Sequence, residues 1–188
     1  ENLPADGRFV LLANHQSSWE TFQLQVVISP QATVLKRELL WIPFFGWGLA
    51  LLDPIRINRS QAAGALKQVI QQGKEKLARG IPVVIYPEGT RQSPGELGDF
   101  NAGGAMLACQ ANVPVVPVVH NSGDCWPARS LLRAPGKIIV EVGKPISTEG
   151  KKPRQVNDET REWIRQGFER ISAEVGHGSS DPAPAEAG

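Results

Sequence analysis

The chain has 188 residues and a formal net charge of +1, with 41% hydrophobic and 21% charged residues. This length allows one domain with a substantial core, and the composition excludes a disordered protein. The near-neutral charge argues against a nucleic-acid-binding protein, which usually carries a clear basic excess. The two cysteines, Cys109 and Cys125, have neither metal-ligand spacing nor the density of a disulfide scaffold, so we expect two reduced thiols.

Short apolar runs alternate with helical patterns along the chain. In order, they predict a strand at 8–13, a helix ending near 28, strands at 32–35 and 55–57, a helix from about 60 to 77, strands at 81–86, 113–119 and 137–142, and a helix at about 163–175. Ser60 is the predicted N-cap of the second helix. This alternation predicts an α/β fold, in which a mostly parallel central sheet is flanked by helices. Ligands of such sheets bind beyond the carboxyl ends of the strands.

The first polar motif, His15 followed by Glu20, lies between the first strand and its helix. A neutral imidazole can take a proton from an alcohol near pH 7, and a carboxylate on the other ring nitrogen fixes the tautomer. Residues five apart on a regular helix point about 140° apart, so the two meet only if His15 lies in the turn before the helix. By spacing alone, a capping histidine and a solvated glutamate are the favoured alternative.

Two further groups of residues contain cations at predicted strand ends. The turn Glu88-Gly89-Thr90-Arg91 exposes backbone N–H groups and a guanidinium suited to a phosphate, or is a simple turn with a surface arginine. Arg56 and Arg59 lie beside the third strand, and Lys36 ends the second. These three cations belong either to an anion site or to a solvated face.

Several common sites are missing from the sequence. It has no phosphate loop, no dinucleotide fingerprint and no G-x-S-x-G nucleophile elbow. Its three histidines do not form an H-E-x-x-H motif, so a zinc hydrolase is not expected. We therefore expect neither a metal nor a bound cofactor.

Four segments in order resemble the motifs of the glycerolipid acyltransferase family, specifically its bacterial 1-acyl-sn-glycerol-3-phosphate acyltransferases. The segments are His15 with Glu20, Ile57-Asn58-Arg59, Glu88-Gly89-Thr90-Arg91 and the apolar run 113–118, within about residues 8–145. Each motif is weak alone, but four in the family's order and at compatible spacing are a strong signal. The family's usual aspartates are replaced by Glu20 and Asn58. Glu20 keeps the charge with one more methylene group, whereas Asn58 indicates that the second carboxylate is not needed for the chemistry.

The resemblance implies direct transfer of a fatty acyl group from acyl-CoA or acyl carrier protein to the sn-2 hydroxyl of lysophosphatidic acid, which gives phosphatidic acid. His15 would be the general base, oriented by Glu20. The family's pattern assigns the acceptor phosphate to the second and third motifs. The substrate-binding candidates are therefore Arg59, Gly89, Thr90 and Arg91, with Glu88 expected to hold the loop or an arginine and with Lys36 and Arg56 as additions.

The resemblance also implies a membrane surface as a partner, at the cytoplasmic face of the bacterial inner membrane. The expected acyltransferase domain covers residues 1–175, with a membrane segment missing before Glu1 and a disordered tail at 176–188. The apolar segment 41–52 is either an interfacial element or a buried core helix. Other functions left open are acylation of another lysolipid such as a lyso-ornithine lipid, a thioesterase, and a non-catalytic lipid-binding module.

Overall fold

The computed structural model describes residues 2–58, 62–128, 130 and 132–178. The strands are β1 (Val10–Ala13), β2 (Ala32–Lys36), β3 (Ile55–Ile57), β4 (Val83–Ile85), β5 (Val115–His120) and β6 (Val140–Val142). The α-helices are α1 (Trp19–Val27), α2 (Phe45–Leu51), α3 (Ala62–Ala78), α4 (Gly103–Ala111), α5 (Ser122–Cys125) and α6 (Pro153–Gly178), and a 3-10 helix spans Arg37–Trp41.

The six strands form one sheet in the order β3-β2-β4-β1-β5-β6. The first five are mutually parallel, and β6 pairs antiparallel with β5. The central strand β1 is buried throughout, as expected for an apolar run covered on both faces. The predicted α/β fold with a mostly parallel sheet is therefore confirmed.

Alternation along the strands divides the core between the two faces of the sheet. Val10, Leu12 and Ile57 belong to the face that packs on α3 and α4, whereas Leu11 and Val116 belong to the face that packs on α1. Helix α6 packs against β5 and α4. The carboxyl ends of the five parallel strands meet at one edge, and the turns that follow β1, β4 and β5 come together there.

The predicted strands all occur, but α4 and α5 were not predicted. Helix α4 begins with two glycines, which have weak helix propensity. It forms because Gly104, Leu107 and Ala108 are buried against the sheet and α3. A Cβ atom at Gly104 would lie 2.5 Å from Leu12 Cδ2, so glycine allows this close approach.

One predicted boundary differs from the structure. Helix α6 continues to Gly178, past the predicted start of the tail at 176, and residues 179–188 lie outside the described part. The predicted N-cap Ser60 also lies outside the described residues. Among residues 2–58, 62–128, 130 and 132–178, no helix is long and apolar enough to cross a membrane.

The segment 41–52 is not a buried core helix, so that alternative is wrong. Its side chains project into solvent: Trp41 is 68% exposed, Phe44 81%, Trp47 59% and Leu51 87%. Within α2 only Gly46 is buried. The 3-10 helix and α2 follow β2 at the carboxyl edge of the sheet, so they form an exposed apolar surface there. We call Trp41, Phe44, Phe45, Trp47 and Leu51 the apolar platform.

Candidate active site

His15 lies in the turn between β1 and α1, and Glu20 is in the first turn of α1. The backbone therefore folds back as the spacing requires, and His15 Nδ1 lies 2.8 Å from Glu20 Oε1. The Glu20 side chain is fully buried, and that of His15 is 16% exposed. The structure thus brings the two predicted catalytic residues together as a hydrogen-bonded pair.

The buried Glu20 carboxylate is surrounded by hydrogen-bond donors. The backbone N–H groups of Gln16 and Ser17 donate to Oε1, while the hydroxyls of Ser17 and Ser122 donate to Oε2 at 2.7 and 2.8 Å. Burial raises the pKa of Glu20, but the hydrogen bond from His15 and the donors of Ser17 outweigh burial and lower the pKa to about 2. Glu20 is therefore an anion at neutral pH.

This anion determines the state of the His15 ring. Because a carboxylate only accepts hydrogen bonds, the neutral ring carries its proton on Nδ1 and keeps a lone pair on Nε2. In the part of the chain that the structure describes, no hydrogen bond to protein engages Nε2. The ring stacks on Tyr86 with centroids 4.3 Å apart and an interplanar angle of 21°. His15 is therefore a fixed base whose free nitrogen is available to a substrate proton.

The turn after β4 is fastened to the backbone of His15. Glu88 is buried, and its Oε2 accepts from His15 N at 2.7 Å while its Oε1 accepts from Gly98 N at 3.0 Å. Gln92 N donates to His15 O at 2.8 Å. Gly89 has φ +73°, a conformation that favours glycine. Burial raises the pKa of Glu88 to about 7, although the two backbone donors oppose the rise.

Arg91 lies beside the same turn. Its Nε donates to Ser17 O at 3.2 Å, and its side chain is otherwise exposed. Among the described residues, its two terminal nitrogens donate to no protein acceptor. Thr90 is exposed, and its hydroxyl accepts from Gln92 Nε2 at 3.2 Å. A cation with two unused amino groups therefore lies next to the turn that carries His15.

Two of the remaining predicted binding residues, Lys36 and Arg56, are not brought to this cluster. Arg59 lies outside the described residues. Lys36 and Arg56 are exposed on β2 and β3, which lie two and three strands from β1, or roughly 10 and 14 Å at ordinary strand spacing. Arg56 also alternates with the buried Ile55 and Ile57, so it lies on the opposite face of the sheet from them. The binding roles of Lys36 and Arg56 stay predictions.

An apolar cavity of about 530 Å³ adjoins His15. It lies between the sheet and helices α3 and α4. Its apolar lining includes Val34, Ile57, Leu66, Val69, Ile85 and Met106. Such a cavity can hold a hydrocarbon chain while the group attached to that chain meets His15. Among the residues with described positions, no group of three potential metal ligands occurs.

Four residues that shape this site had no role predicted from the sequence: Asn14, Tyr86, His120 and Ser122. Asn14 and His120 are fully buried and exchange hydrogen bonds, with Asn14 Nδ2 donating to His120 O and His120 N donating to Asn14 Oδ1. His120 and Ser122 follow Asn14 and Glu20 by 106 and 102 positions. No local pattern links residues so far apart. The pairing of β1 with β5 would have been the signal, and strand order is not visible in the sequence.

Comparison with known proteins agrees with the motifs. A protein-family model described as Acyltransferase matches residues 1–121. The chain is 46% identical over 175 residues to the 1-acyl-sn-glycerol-3-phosphate acyltransferase of Pseudomonas aeruginosa, which covers 92% of this chain and 68% of that protein. It is 32% identical over 182 residues to the Saccharomyces cerevisiae protein of the same name, with 94% of this chain and 59% of that protein covered.

A solved structure is similar over the same region. The crystal structure of the 1-acyl-sn-glycerophosphate acyltransferase from Thermotoga maritima superposes with a TM-score of 0.78 at 27% identity, covering 92% of this chain and 69% of that one. The chain thus spans about two thirds of the length of these bacterial relatives. Fold, motif order and sequence identity agree, and the chain belongs to the acyltransferase family.

Proposed function

We propose that this protein transfers a fatty acyl group from acyl-CoA or acyl carrier protein to the sn-2 hydroxyl of lysophosphatidic acid, giving phosphatidic acid. The observation that carries the proposal is the His15–Glu20 pair beside an apolar cavity. The 46% identity to a relative named 1-acyl-sn-glycerol-3-phosphate acyltransferase supports this acceptor.

The chemistry follows from the free Nε2 of His15. As the acceptor oxygen attacks the thioester carbonyl, Nε2 takes the hydroxyl proton, and the Glu20 carboxylate stabilises the imidazolium that forms. The tetrahedral intermediate then collapses, the carbon–sulfur bond breaks, and the imidazolium returns the proton to the leaving thiolate. This route needs no acyl-enzyme intermediate. The hydroxyls of Ser17 and Ser122 both donate to Glu20, and neither is hydrogen-bonded to His15 as a nucleophile activated by that base would be.

The acceptor phosphate is proposed to bind at the turn after β4. Arg91 supplies two terminal amino groups in a planar fork, and Thr90 and Gly89, whose own N–H donates to Tyr86 O at 3.1 Å, form the turn beside it. Arg59 of the second motif is proposed as a further contact. Glu88 is assigned to the loop, because backbone amides occupy both of its oxygens.

The protein is proposed to act at the cytoplasmic face of the bacterial inner membrane. The apolar platform presents tryptophan and phenylalanine side chains, which favour the headgroup and upper acyl region of a bilayer. Lys36 and Arg37 precede the platform, and the Arg37 guanidinium lies 5.7 Å from the Trp41 ring centroid. These cations suit anionic lipid headgroups. Lys36 would therefore bind the membrane surface in this proposal and would not contact the acceptor.

Purified protein incubated with acyl-CoA or acyl carrier protein and a panel of lysolipids tests the function. Mass spectrometry of the products is expected to show phosphatidic acid from lysophosphatidic acid, and no product from lysophosphatidylcholine or a lyso-ornithine lipid. Faster acylation of a lyso-ornithine lipid would overturn the acceptor. Release of free fatty acid without an acylated lipid would show a thioesterase, and no turnover of any thioester would show a binding module.

A further inference from the structure

The Glu20 carboxylate is held by one side chain from outside its own turn. The donors His15 Nδ1, Gln16 N, Ser17 N and Ser17 Oγ are all within five residues of it. The remaining donor, Ser122 Oγ, belongs to the first residue of α5 and lies 2.8 Å from Glu20 Oε2. Both Ser122 and Glu20 are fully buried, so solvent cannot replace this hydrogen bond.

The position of Ser122 is fixed by the pairing of Asn14 with His120. Besides the two hydrogen bonds already described, His120 Nε2 lies 2.9 Å from Asn14 O. A carbonyl oxygen only accepts, so Nε2 carries the proton and Nδ1 accepts from Ser122 N at 3.4 Å. His120 is therefore a neutral ring that ties the turn after β5 to the turn after β1. Burial lowers the pKa of His120, which agrees with a neutral ring.

A glutamate needs such a restraint more than an aspartate does. It has one more rotatable bond, and the terminal torsion of its carboxylate has a broad energy minimum. Ser17 and Ser122 both donate to Oε2, one from the same turn and one from the turn after the neighbouring strand β5. With Oε2 held from two sides, Oε1 stays directed at His15 Nδ1.

We propose that Ser122 is a positioning residue for the His15–Glu20 pair, and that its hydroxyl fixes the plane of the Glu20 carboxylate. The proposal rests on the acyl-transfer function proposed above, in which His15 is the base. Ser122 touches no substrate in this proposal. It acts through Glu20, and the Asn14–His120 pair sets the distance between the two turns.

The variant Ser122→Ala tests this role. A hydrogen bond to a charged group typically changes a rate or equilibrium constant by about tenfold or more. We therefore expect kcat to fall about tenfold while KM for lysophosphatidic acid stays within about twofold. The Nδ1 proton of His15 should give a downfield ¹H NMR signal in the native protein. In Ser122→Ala this signal should move upfield and exchange faster with water. Ser122→Cys should lie between the two, because a thiol is a weak donor, and it replaces the alanine variant if that one does not fold.

A matched control removes another buried hydroxyl. Thr148 Oγ1 donates to Val113 O at 3.1 Å on a segment outside the cluster, so Thr148→Val should keep the native kcat and the native signal. A double-mutant cycle with Glu20→Gln adds a second check. In that background Ser122→Ala should cost less than about twofold, because the charged partner is already absent.

Two results would overturn the proposal: an unchanged downfield signal with native kcat in Ser122→Ala, or the same loss with and without Glu20→Gln. If the native protein makes no phosphatidic acid, the proposed function fails instead. The NMR comparison does not use substrate, so it still decides whether Ser122 positions Glu20.

Discussion

The turns around His15 and the apolar platform lie at the same edge of the sheet but differ in burial and in hydrogen bonding. Around His15 the carboxylates of Glu20 and Glu88 are buried, and each accepts at least two hydrogen bonds. On the platform, Phe44 and Leu51 are more than four-fifths exposed. Buried polar groups are in large majority hydrogen-bonded, so these contacts restrict the geometry of the first region. Exposed apolar side chains require a partner surface but no single geometry. The proposed catalytic geometry and the proposed contact with lipid are therefore separate properties of this edge.

The largest expected effect comes from removing the base. His15→Ala should lower kcat by at least ~10³-fold, since general-base catalysis is typically worth ~10²–10⁴-fold and no other described side chain can replace Nε2. Steady-state rates with saturating lysophosphatidic acid measure this loss. Vesicle binding by the platform should stay native. A variant that keeps more than a tenth of the native kcat would show that His15 is not the base.

The charge of Glu20 should affect kcat more than the length of its side chain does. Glu20→Gln keeps the shape but removes the charge that stabilises the imidazolium, so we expect kcat to fall about 10²-fold with KM little altered. Glu20→Asp restores the family's usual residue on a backbone that fits glutamate, so its kcat should lie between those of Glu20→Gln and the native protein. Equal rates for Glu20→Gln and the native protein would show that the pair is not coupled through charge.

The same carboxylate should affect stability in acid. Because the pKa of Glu20 is lowered from 4.5 to about 2 by folding, its contribution to stability is complete above pH 4.5 and is lost as pH falls through 2. At about 1.4 kcal/mol per pKa unit, the contribution is roughly 3 kcal/mol. The free energy of unfolding of the native protein should therefore fall more steeply over this range than that of Glu20→Gln. Parallel curves from urea denaturation would contradict this assignment.

Arg91 is the proposed contact between the turns around His15 and the acceptor phosphate. Arg91→Ala should raise KM for lysophosphatidic acid about 10- to 100-fold, because charged hydrogen bonds are worth roughly 1.5–3 kcal/mol, while KM for the acyl donor changes little. Arg91→Lys should restore only part of the affinity, because an ammonium cannot make the planar fork. An equal rise in both KM values would place Arg91 outside the phosphate site. Arg154→Ala, at a side chain that is 92% exposed on α6, is the matched arginine control.

The strands were predicted from local pattern, whereas the His15–Glu20 pair was predicted only through the resemblance to the family, because spacing alone favoured a capping histidine and a solvated glutamate. Ile55–Ile57 was predicted with its observed bounds, and the turn before α1 had to bring His15 back to Glu20. Contacts between distant segments could not be predicted in the same way. Ser122 and His120 reach the pair only because β5 lies beside β1, and α4 packs on the sheet where Gly104 allows a close approach to Leu12.

The smallest expected effect tests the platform itself. Burying one large aromatic side chain is worth about 1.5–3 kcal/mol, so Trp47→Ser should weaken binding to anionic phospholipid vesicles by about tenfold. Sedimentation with sucrose-loaded vesicles measures this, and turnover of a dispersed short-chain lysophosphatidic acid should stay within about twofold of native. Leu132→Ser is the control, because Leu132 is 81% exposed and lies outside the platform. Equal weakening by both substitutions would mean that the platform has no special contact with lipid. If Trp47→Ser instead lowered turnover of the dispersed substrate without weakening vesicle binding, the platform would contribute to catalysis. The two regions would then not be separate in function.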